Sequence, residues 1–420
     1  MVAAFAARGF RVIGVDVNAD FVRLINEGRS SVFEPHLEDY LRANKSMISA
    51  TQNYEEAVLN SDITFIIVPT PSDNNNDFSM KYVVEVGKKI GEAIKKKKTF
   101  HLVVLTSTVT PSSTQRELLP VLARSSQKQL GRDFGLCYNP EFIALGEVIE
   151  DILNPDFVLI GESDKRSGDI LEEFYKNVCQ NNPPIKKMSI INAEITKIAL
   201  NTYVTTKISY ANMLAELCEA IPGGNVDVVT DALGCDTRIG QKYLKGALGY
   251  MGPCFPRDGR AFMYTAKKFG ISLPITQATD EINRRQVPRL QEKVLRLVPK
   301  KGKIAVLGVA YKPNTNIIEE SQGLEFAKVF SEKEFQVKVY DPKAMAEAKK
   351  SLNNALFSAS LKEAVGEADL IFIATPWEEF KNMKPAWLKH GVVLFDCWRI
   401  LDPRKYEGIA KYIPLGVNVR

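Results

Sequence analysis

Residues 63–71 read Ile-Thr-Phe-Ile-Ile-Val-Pro-Thr-Pro, an apolar run that ends on a proline-threonine-proline turn. A continuous apolar run of this length is typical of a strand buried on both faces, as in a parallel sheet. Helix-like segments separate it from further runs rich in β-branched and aliphatic residues, at residues 11–16, 100–105, 136–138 and 157–160. This alternation predicts a doubly wound, Rossmann-like α/β domain, in which ligands bind beyond the carboxyl ends of the strands.

Three polar residues, Asp16, Thr70 and Thr108, lie at that predicted edge of the sheet. A carboxylate after the second strand of a dinucleotide-binding domain can accept hydrogen bonds from a ribose, and it favours NAD over NADP. An aspartate is also a common strand-end residue, so Asp16 alone is a weak signal. Gly9 and Gly14 do not form the glycine-rich turn that such a domain requires.

The chain changes character after the first sheet. Residues 192–220 have helical periodicity and contain neither proline nor glycine, which predicts one long helix. A second α/β pattern follows, with strands expected at 304–307, 336–340, 370–374 and 392–395. We therefore expect an NAD-binding domain over residues 1–190, a helical central domain over 191–298 that carries a dimer surface, and a second Rossmann-like domain over 299–420.

Composition excludes several classes of protein. The 420 residues carry a net charge of +5 spread along the chain, which suits a phosphate-bearing small ligand better than nucleic acid. Six cysteines without a CxxC pair and three scattered histidines argue against a disulfide framework and a metal site, and they favour a reducing cytoplasm. No apolar stretch approaches the roughly 18 residues of a membrane span. Proton transfer would depend on carboxylates, lysine or water.

The segment at residues 249–258, Gly-Tyr-Met-Gly-Pro-Cys-Phe-Pro-Arg-Asp, contains the best candidate nucleophile. Cys254 can react as a thiolate if the local field favours the charged form, and Arg257 could supply that field. Asp258 could activate a water molecule. The alternative is an inert loop cysteine, which is the commoner case for a lone thiol.

Other candidates are individually modest. Lys197 and Asn201 stand one helical turn apart, where they could hold an oxyanion or a water, or could be ordinary surface residues. Glu141 could act as a general base or could be a helix-end acid. Arg238 could bind a carboxylate or phosphate, or could be a surface arginine.

Together these segments resemble the nucleotide-sugar dehydrogenases of the UDP-glucose 6-dehydrogenase family along nearly the whole chain. The matching stretches are residues 12–18, 68–71, 107–109, 139–142, 197–201, 238–240, 254–258 and 305–315. The resemblance implies oxidation of a sugar C6 alcohol to a carboxylate with two NAD⁺. In that family a cysteine captures the intermediate aldehyde, and a thioester is then hydrolysed.

The resemblance also assigns roles to residues. It implies that Cys254 is the nucleophile, that Lys197 and Asn201 stabilise the oxyanion, that Asp258 supports Lys197 and the water, and that Glu141 and Thr108 position or deprotonate water. The residues implied to bind NAD are Asp16, Val68, Thr70, Ser107, Thr108 and Arg257. Those implied to bind the substrate are Glu141, Phe142, Lys197, Asn201, Arg238, Tyr243, Lys245, Gly249, Tyr250, Tyr311, Lys312 and Arg399. A homodimer through the central helix is implied as well, with Arg238 reaching the neighbouring subunit.

The sequence departs from the family pattern at its start. The first strand and glycine-rich turn of the first domain are missing, so we expect a shortened form of a longer chain, with a degraded paralogue as the alternative. Glu319 stands where the family has an arginine. Two other activities stay open: a catalytically impaired homologue that only binds UDP-sugar or dimerises, and a single-step β-hydroxyacid dehydrogenase. UDP-glucose is the first expected substrate, followed by UDP-N-acetylhexosamines and GDP-mannose.

Overall fold

The structure is a computed structural model that describes residues 1–333 and 335–418. The chain divides into two compact units, Met1–Leu200 with Arg260–Gly270, and Asn201–Gly259 with Ile271–Arg420. The boundaries after Leu200 and Gly259 fall inside helices, so two helices contribute residues to both units, while the boundary after Gly270 lies between helices. The expected division into three domains at residues 190 and 298 stays a prediction.

The first unit alternates short helices with strands. Its elements are α1 (Val2–Ala7), β1 (Val12–Val15), α2 (Ala19–Glu27), α3 (Leu37–Ala43), β2 (Ile48–Thr51), α4 (Tyr54–Leu59), β3 (Ile63–Ile66), α5 (Lys81–Lys96), β4 (His101–Leu105), α6 (Leu119–Ser126), β5 (Phe134–Tyr138), α7 (Val148–Leu153), β6 (Val158–Glu162), α8 (Lys165–Val178), β7 (Ile185–Ser189) and the first part of α9 (Ile190–Ala220).

The strands of this unit form two sheets. Strands β3 to β7 lie side by side in chain order, and each neighbouring pair is parallel except β5 and β6, which are antiparallel. Strands β1 and β2 form a separate parallel pair. Within the described residues, β1 pairs only with β2 and β3 only with β4. The five strands expected from apolar runs are all present, while β2 and β7 have too many polar residues to be recognised in that way.

The core of the first unit explains the continuous apolar runs. Leu102 and Val104 of β4 belong to the cluster that contains Phe5 of α1. Val103 and Leu105 point to the other face and belong to the cluster with helices α5 and α6. All four β4 side chains are fully buried, because the sheet is covered by helices on both sides.

The second unit contains the rest of α9, a loop that includes Cys254, and a second α/β sheet. Its elements are α10 (Val226–Gly234), the start of α11 (Phe255–Lys268), whose residues from Arg260 onward belong to the first unit, α12 (Pro274–Leu295), β8 (Lys303–Leu307), α13 (Gln322–Glu332), β9 (Gln336–Tyr340), α14 (Met345–Ser351), β10 (Leu356–Phe357), α15 (Leu361–Val365), β11 (Leu370–Ile373), β12 (Val392–Asp396) and β13 (Ala410–Pro414). The sheet order is β10-β9-β8-β11-β12-β13, with all pairs parallel.

The fold prediction is confirmed: two α/β sheets with parallel strands are linked by the long helix α9. This helix has 31 residues and no interior glycine or proline, so it extends for about 46 Å at 1.5 Å per residue. Helix α12 continues through Pro288. Within the described part of the chain, no helix combines the length and the apolar character needed to cross a bilayer.

Candidate functional site

The loops that follow β3 and β4 are joined by side-chain hydrogen bonds. The Ser107 hydroxyl donates to the Val68 carbonyl oxygen at 2.6 Å, and the Thr70 hydroxyl donates to the Thr108 carbonyl oxygen at 2.7 Å. Four residues predicted to bind the cofactor are thus brought together at the carboxyl edge of the sheet. This is the edge at which open α/β sheets bind ligands.

Asp16 follows β1 with its side chain exposed. One carboxylate oxygen, Oδ1, accepts a hydrogen bond from the Asn18 amide at 2.8 Å, and Asn18 in turn caps helix α2. This turn fixes the backbone while leaving the carboxylate accessible to solvent. An accessible carboxylate at this position suits the hydroxyls of an NAD ribose, so the residues present fit that cofactor.

Lys197 organises a turn after β5. Its ammonium donates to the Glu141 carbonyl oxygen at 2.6 Å and lies 4.6 Å from the centre of the Phe142 ring. The side chain is buried, so the carbonyl and the ring replace part of its hydration. The structure therefore brings together three residues predicted to act in the site: Glu141, Phe142 and Lys197.

The Glu141 carboxyl lies in a protected environment. Burial raises its pKa, against the opposing effect of the positive charges of the Met1 amino group and Lys197. The buried Tyr175 hydroxyl lies 3.5 Å from Glu141 Oε1 and 2.5 Å from the Asn139 side-chain oxygen. Burial and the Glu141 charge both raise the pKa of Tyr175, which keeps its hydroxyl protonated as a donor. The protonated form of the Glu141 carboxyl is thus favoured relative to that of an exposed glutamate.

The sequence interpretation missed Glu194. This residue is fully buried on α9 and accepts hydrogen bonds from the Ser112 amide at 2.5 Å and the Thr114 amide at 2.9 Å. Ser112 has φ of +81°, an unusual conformation for a serine. Glu194 therefore fixes the loop that carries Ser107 and Thr108. Its position three residues before Lys197, on the same face of the predicted helix, was a signal that could have found it.

Cys254 lies immediately before helix α11. Its carbonyl oxygen accepts the first helical hydrogen bond, from the Asp258 amide at 2.8 Å, and Pro256 occupies the first turn. Its side chain is exposed. The amide groups at a helix amino terminus carry partial positive charge, which stabilises a thiolate relative to a thiol.

Asp258, predicted to support catalysis, is almost completely buried and binds two partners. Asn201 donates from Nδ2 to Asp258 Oδ2 at 2.6 Å, and Arg257 lies 3.3 Å from Oδ1. The carboxylate therefore fixes the amide of Asn201 and compensates the positive charge of Arg257. Lys197 and Asn201 occupy consecutive turns of α9, as their spacing predicted.

Several residues predicted to bind the substrate lie near Cys254 in the chain and in the second unit. Gly252, with φ of +86°, lies against the ring of Tyr311: a Cβ atom there would stand 2.7 Å from the ring. Tyr243, with φ of +67°, contacts Phe255 edge-on at 6.3 Å between ring centres. In the same unit, Gly249 and Tyr250 are buried, Lys245 is exposed and Lys312 is half-buried.

The two predicted arginines differ in their surroundings. Arg238 is exposed, and its guanidinium binds Asp236 of the same loop through two hydrogen bonds, at 2.9 and 2.6 Å. The Arg399 side chain is only 7% exposed. It binds both Asp227 oxygens, at 2.6 and 2.8 Å, and the Leu415 carbonyl oxygen at 2.6 Å. Arg399 thus fastens α10 to the segment after β13, and its role toward the substrate stays a prediction.

Comparisons with known proteins agree along the chain. Models of the UDP-glucose/GDP-mannose dehydrogenase family match residues 1–179 as the NAD-binding domain, 191–285 as the central domain and 305–403 as the UDP-binding domain. The chain is 32% identical over 417 residues to a UDP-glucose 6-dehydrogenase of Haloferax volcanii, covering 97% of this chain and 96% of the relative.

Two further relatives represent different substrates and a solved structure. A GDP-mannose 6-dehydrogenase of Pseudomonas aeruginosa is 31% identical over 395 residues, which cover 90% of this chain and 89% of that protein. The structure of a UDP-glucose dehydrogenase from the archaeon Pyrobaculum islandicum matches with a TM-score of 0.90 and 32% identity, covering 99% of this chain and 94% of that one.

Proposed function

Because this chain belongs to the UDP-glucose/GDP-mannose dehydrogenase family, we propose that it oxidises UDP-glucose to UDP-glucuronate through a thioester on Cys254. Family membership identifies an NAD-dependent oxidoreductase that acts on a nucleotide sugar. The identity of the sugar and the role of the cysteine are the proposal. The single observation that carries it is Cys254 at the amino terminus of α11, one turn before a buried Asp258 that binds Asn201.

The reaction removes four electrons from one carbon. The C6 alcohol first loses a hydride and a proton to give an aldehyde, and the Cys254 thiolate then adds to that carbon. Loss of a second hydride from the thiohemiacetal gives a thioester. Water attacks the thioester, the C–S bond breaks, and the carboxylate and the thiol are released. When bound, NAD supplies the hydride acceptor for each oxidation.

The residues assigned to catalysis have distinct tasks in this proposal. The Asn201 amide, aligned by Asp258, and the Lys197 ammonium, aligned by the Glu141 carbonyl, donate to the oxygen that becomes negative at C6. Glu141 accepts the proton of the attacking water, with Thr108 positioning that water. Burial, which raises the Glu141 pKa, makes its carboxylate a stronger base than an exposed glutamate.

The binding assignments form part of the same proposal. The residues proposed to contact NAD at the carboxyl edge of the first sheet are Val68, Thr70, Ser107 and Thr108. Asp16 is proposed to bind a ribose of NAD, and Arg257 is the remaining residue proposed for the cofactor. The residues proposed for the UDP-sugar are Phe142, Arg238, Tyr243, Lys245, Gly249, Tyr250, Tyr311, Lys312 and Arg399, together with Glu141, Lys197 and Asn201.

UDP-glucose is proposed as the sugar because two relatives that are 32% identical to this chain, over 97% and 99% of its length, are named for it. The test compares kcat/KM for UDP-glucose, GDP-mannose, UDP-N-acetylmannosamine and a small β-hydroxyacid at equal NAD. We expect UDP-glucose to exceed each of the others by at least about 100-fold, the discrimination that a few buried polar contacts provide. A preference for GDP-mannose would contradict the sugar assignment, and activity on the hydroxyacid alone would contradict the reaction.

A homodimer through α9 is also proposed. Five large apolar side chains on one face of this helix and just after it are between 44 and 66% exposed: Tyr203, Tyr210, Met213, Leu217 and Ile221. Their spacing of seven, three, four and four residues forms a continuous stripe. Exposed apolar stripes of this size mark protein interfaces, and a second copy of the same helix presents a matching stripe.

The proposed setting is the cytoplasm, with UDP-glucuronate supplied to polysaccharide synthesis. Within the described residues no two cysteines are joined by a disulfide, and Cys137 and Cys397 are buried in the two cores, as expected for a protein of a reducing compartment. Detection of this chain in a fractionated cell, together with the UDP-glucuronate content of a deletion strain, would test this setting.

A further inference from the structure

The four residues 247–250, which shortly precede Cys254 in the chain, belong to no helix or strand, yet they are buried. Ala247, Leu248 and Tyr250 are each at most 6% exposed. A buried backbone without secondary structure needs other partners for its N–H and C=O groups, because an unpaired buried group is costly. The partners here are three side chains of one chemical kind.

Asn212 of α9 binds the first half of this segment. Its Oδ1 accepts from the Ala247 amide at 2.8 Å, and its Nδ2 donates to the Leu248 carbonyl oxygen at 3.2 Å. Asn212 itself is fully buried. One carboxamide thus satisfies a donor and an acceptor of the backbone at the same time.

The second half is bound from α12 and α13. Asn283 accepts from the Tyr250 amide at 2.7 Å and donates to the Tyr250 carbonyl oxygen at 3.1 Å. Gln322 accepts from the Gly249 amide at 2.8 Å. The packing is so close that a Cβ atom on Gly249 would stand 2.1 Å from Asn283 Oδ1 and 2.5 Å from Gln322 Nε2. Only glycine leaves room for both amides.

Uncharged amides are the suitable group for this task. A carboxylate cannot donate to a carbonyl, and an ammonium or guanidinium cannot accept from an N–H. A charge buried close to a thiolate would also shift its ionisation, because interior charges interact strongly. Carboxamides fix the backbone from three helices without adding such a field.

We propose that Asn212, Asn283 and Gln322 form an amide clamp that positions Cys254 for capture of the aldehyde. This proposal rests on the proposed function of Cys254, which follows the clamped segment by four residues. Without the clamp, the thiol is spread over several orientations, and the aldehyde leaves before the carbon–sulfur bond forms. The three residues are positioning residues, because each acts through the backbone of residues 247–250.

The test uses uncharged substitutions with a matched control. Asn283→Leu removes both hydrogen bonds to Tyr250, and Gln322→Met removes the bond to Gly249. In the first unit, Asn26 makes the same pair of hydrogen bonds to the Ala50 backbone, at 2.8 and 3.0 Å, so Asn26→Leu is the control. If Asn283→Leu lowers the thermal unfolding midpoint too far, Gln322→Met, which loses one bond, provides the test.

The first readout does not depend on activity. A nitroxide spin label on Cys254, in a Cys235→Ser background that removes the other exposed cysteine, reports how firmly the loop is held. We expect Asn283→Leu and Gln322→Met to increase label mobility, while Asn26→Leu leaves the spectrum unchanged. Equal mobility in all four proteins overturns the clamp.

The second readout is the fate of the aldehyde. We expect the clamp variants to lower kcat by about 10- to 100-fold, the usual effect of misplacing a reacting group, with KM for NAD unchanged. The NADH formed per UDP-glucose consumed should fall from two toward one, with aldehyde trapped by hydroxylamine. Greater mobility without a change in kcat or in this ratio overturns the positioning role. If the unmodified protein itself gives one NADH, the proposed function fails, and the mobility data still judge the clamp.

Discussion

Glu141 contributes two groups to the site, and they act differently. Its backbone carbonyl accepts from the Lys197 ammonium, while its carboxyl lies beside the buried Tyr175 hydroxyl. Burial disfavours the ionised carboxylate, which raises the Glu141 pKa above that of an exposed glutamate. In the proposed reaction, the Glu141 carbonyl therefore orients the Lys197 ammonium while the Glu141 carboxyl exchanges a proton.

The first prediction concerns the pH dependence of Glu141. Because the Glu141 pKa is raised, its ionised, basic form becomes populated at a higher pH than the roughly 4.3 of a free glutamate. We therefore expect kcat/KM to rise with pH through that range. Glu141→Gln should remove this acidic limb and lower kcat by about 10²- to 10⁴-fold. The measurement is a pH–rate profile of both proteins.

The effect of Glu141 on the stability of the fold changes with pH in the opposite direction to its effect on kcat/KM. When a glutamate has a raised pKa in the folded state, the protein loses stability as the pH increases from the pKa of that glutamate in the unfolded state toward its pKa in the folded state. Glu141→Gln should therefore match the unmodified protein below about pH 4.3 and become relatively more stable above it. A thermal midpoint difference that is constant with pH would contradict the buried-carboxyl interpretation.

The second prediction concerns Asn201 and Asp258. Their 2.6 Å hydrogen bond joins α9 to α11, and Asp258 also binds Arg257. In a double-mutant cycle with Asn201→Ala and Asp258→Asn, measured as kcat, we expect a coupling energy of about 1–3 kcal/mol, because the groups share one buried contact. Strictly additive effects would show that the two residues act independently.

At this scale the sequence predicts what spacing can encode. The interval of four between Lys197 and Asn201 places them on consecutive turns, and the Cys254–Asp258 interval places both at the start of α11. The spacing of Glu194 from Lys197 is a sequence signal, but the backbone partners of Glu194 and of the three amides of the clamp could not be predicted. These partners are backbone groups 33 to 82 residues away, and sequence spacing carries no information on such contacts.

Among the elements, the loop between β4 and α6 depends most on one buried side chain. Glu194 accepts from two of its amides, and Ser112 is held at φ of +81°. This loop carries Ser107 and Thr108, so its geometry determines the proposed cofactor contacts.

The third prediction is that Glu194→Gln lowers the free energy of unfolding by about 1–3 kcal/mol. The amide replaces one acceptor oxygen with a donor, which leaves a buried N–H unpaired. KM for NAD should increase at the same time. Urea unfolding and steady-state kinetics measure the two effects. The control is Glu117→Gln in the same region, because no backbone amide of the described residues donates a hydrogen bond to the Glu117 carboxylate. Equal losses of unfolding free energy in both variants would contradict the explanation.

The fourth prediction concerns the α9 stripe. Leu217→Glu places a charge at the centre of the proposed dimer surface and should raise the dimer dissociation constant by about 100-fold or more. Leu356→Glu introduces the same charge at another exposed leucine, on β10, and should leave assembly unchanged. Sedimentation velocity over a range of concentrations compares them. A Leu217→Glu protein with unaltered assembly would contradict an interface on this stripe.

Element prediction succeeded where burial is strongest. Strands β4 and β12 are buried at every position, and their apolar runs mark them within about two residues. Strand β7 contains Lys186 and Lys187, and β10 has only two residues, so neither has a recognisable pattern. Pairing with a neighbour, rather than its own sequence, makes each of these a strand.

For the whole molecule, the central claim is chemical. Two α/β sheets and a long helix could serve a one-step dehydrogenase as well as a two-step one. What distinguishes the two-step reaction is a thiol that retains the substrate between oxidations. The buried Asn201–Asp258 hydrogen bond and the amide clamp both involve the segment that carries this thiol.

The most direct measurement is therefore the amount of NADH formed per UDP-glucose at limiting substrate, in the unmodified protein and in Cys254→Ala. The account predicts two NADH and UDP-glucuronate for the unmodified protein. It predicts at most one NADH, with trapped aldehyde and no acid, for Cys254→Ala. One NADH with free aldehyde from the unmodified protein, or two NADH from Cys254→Ala, would contradict it.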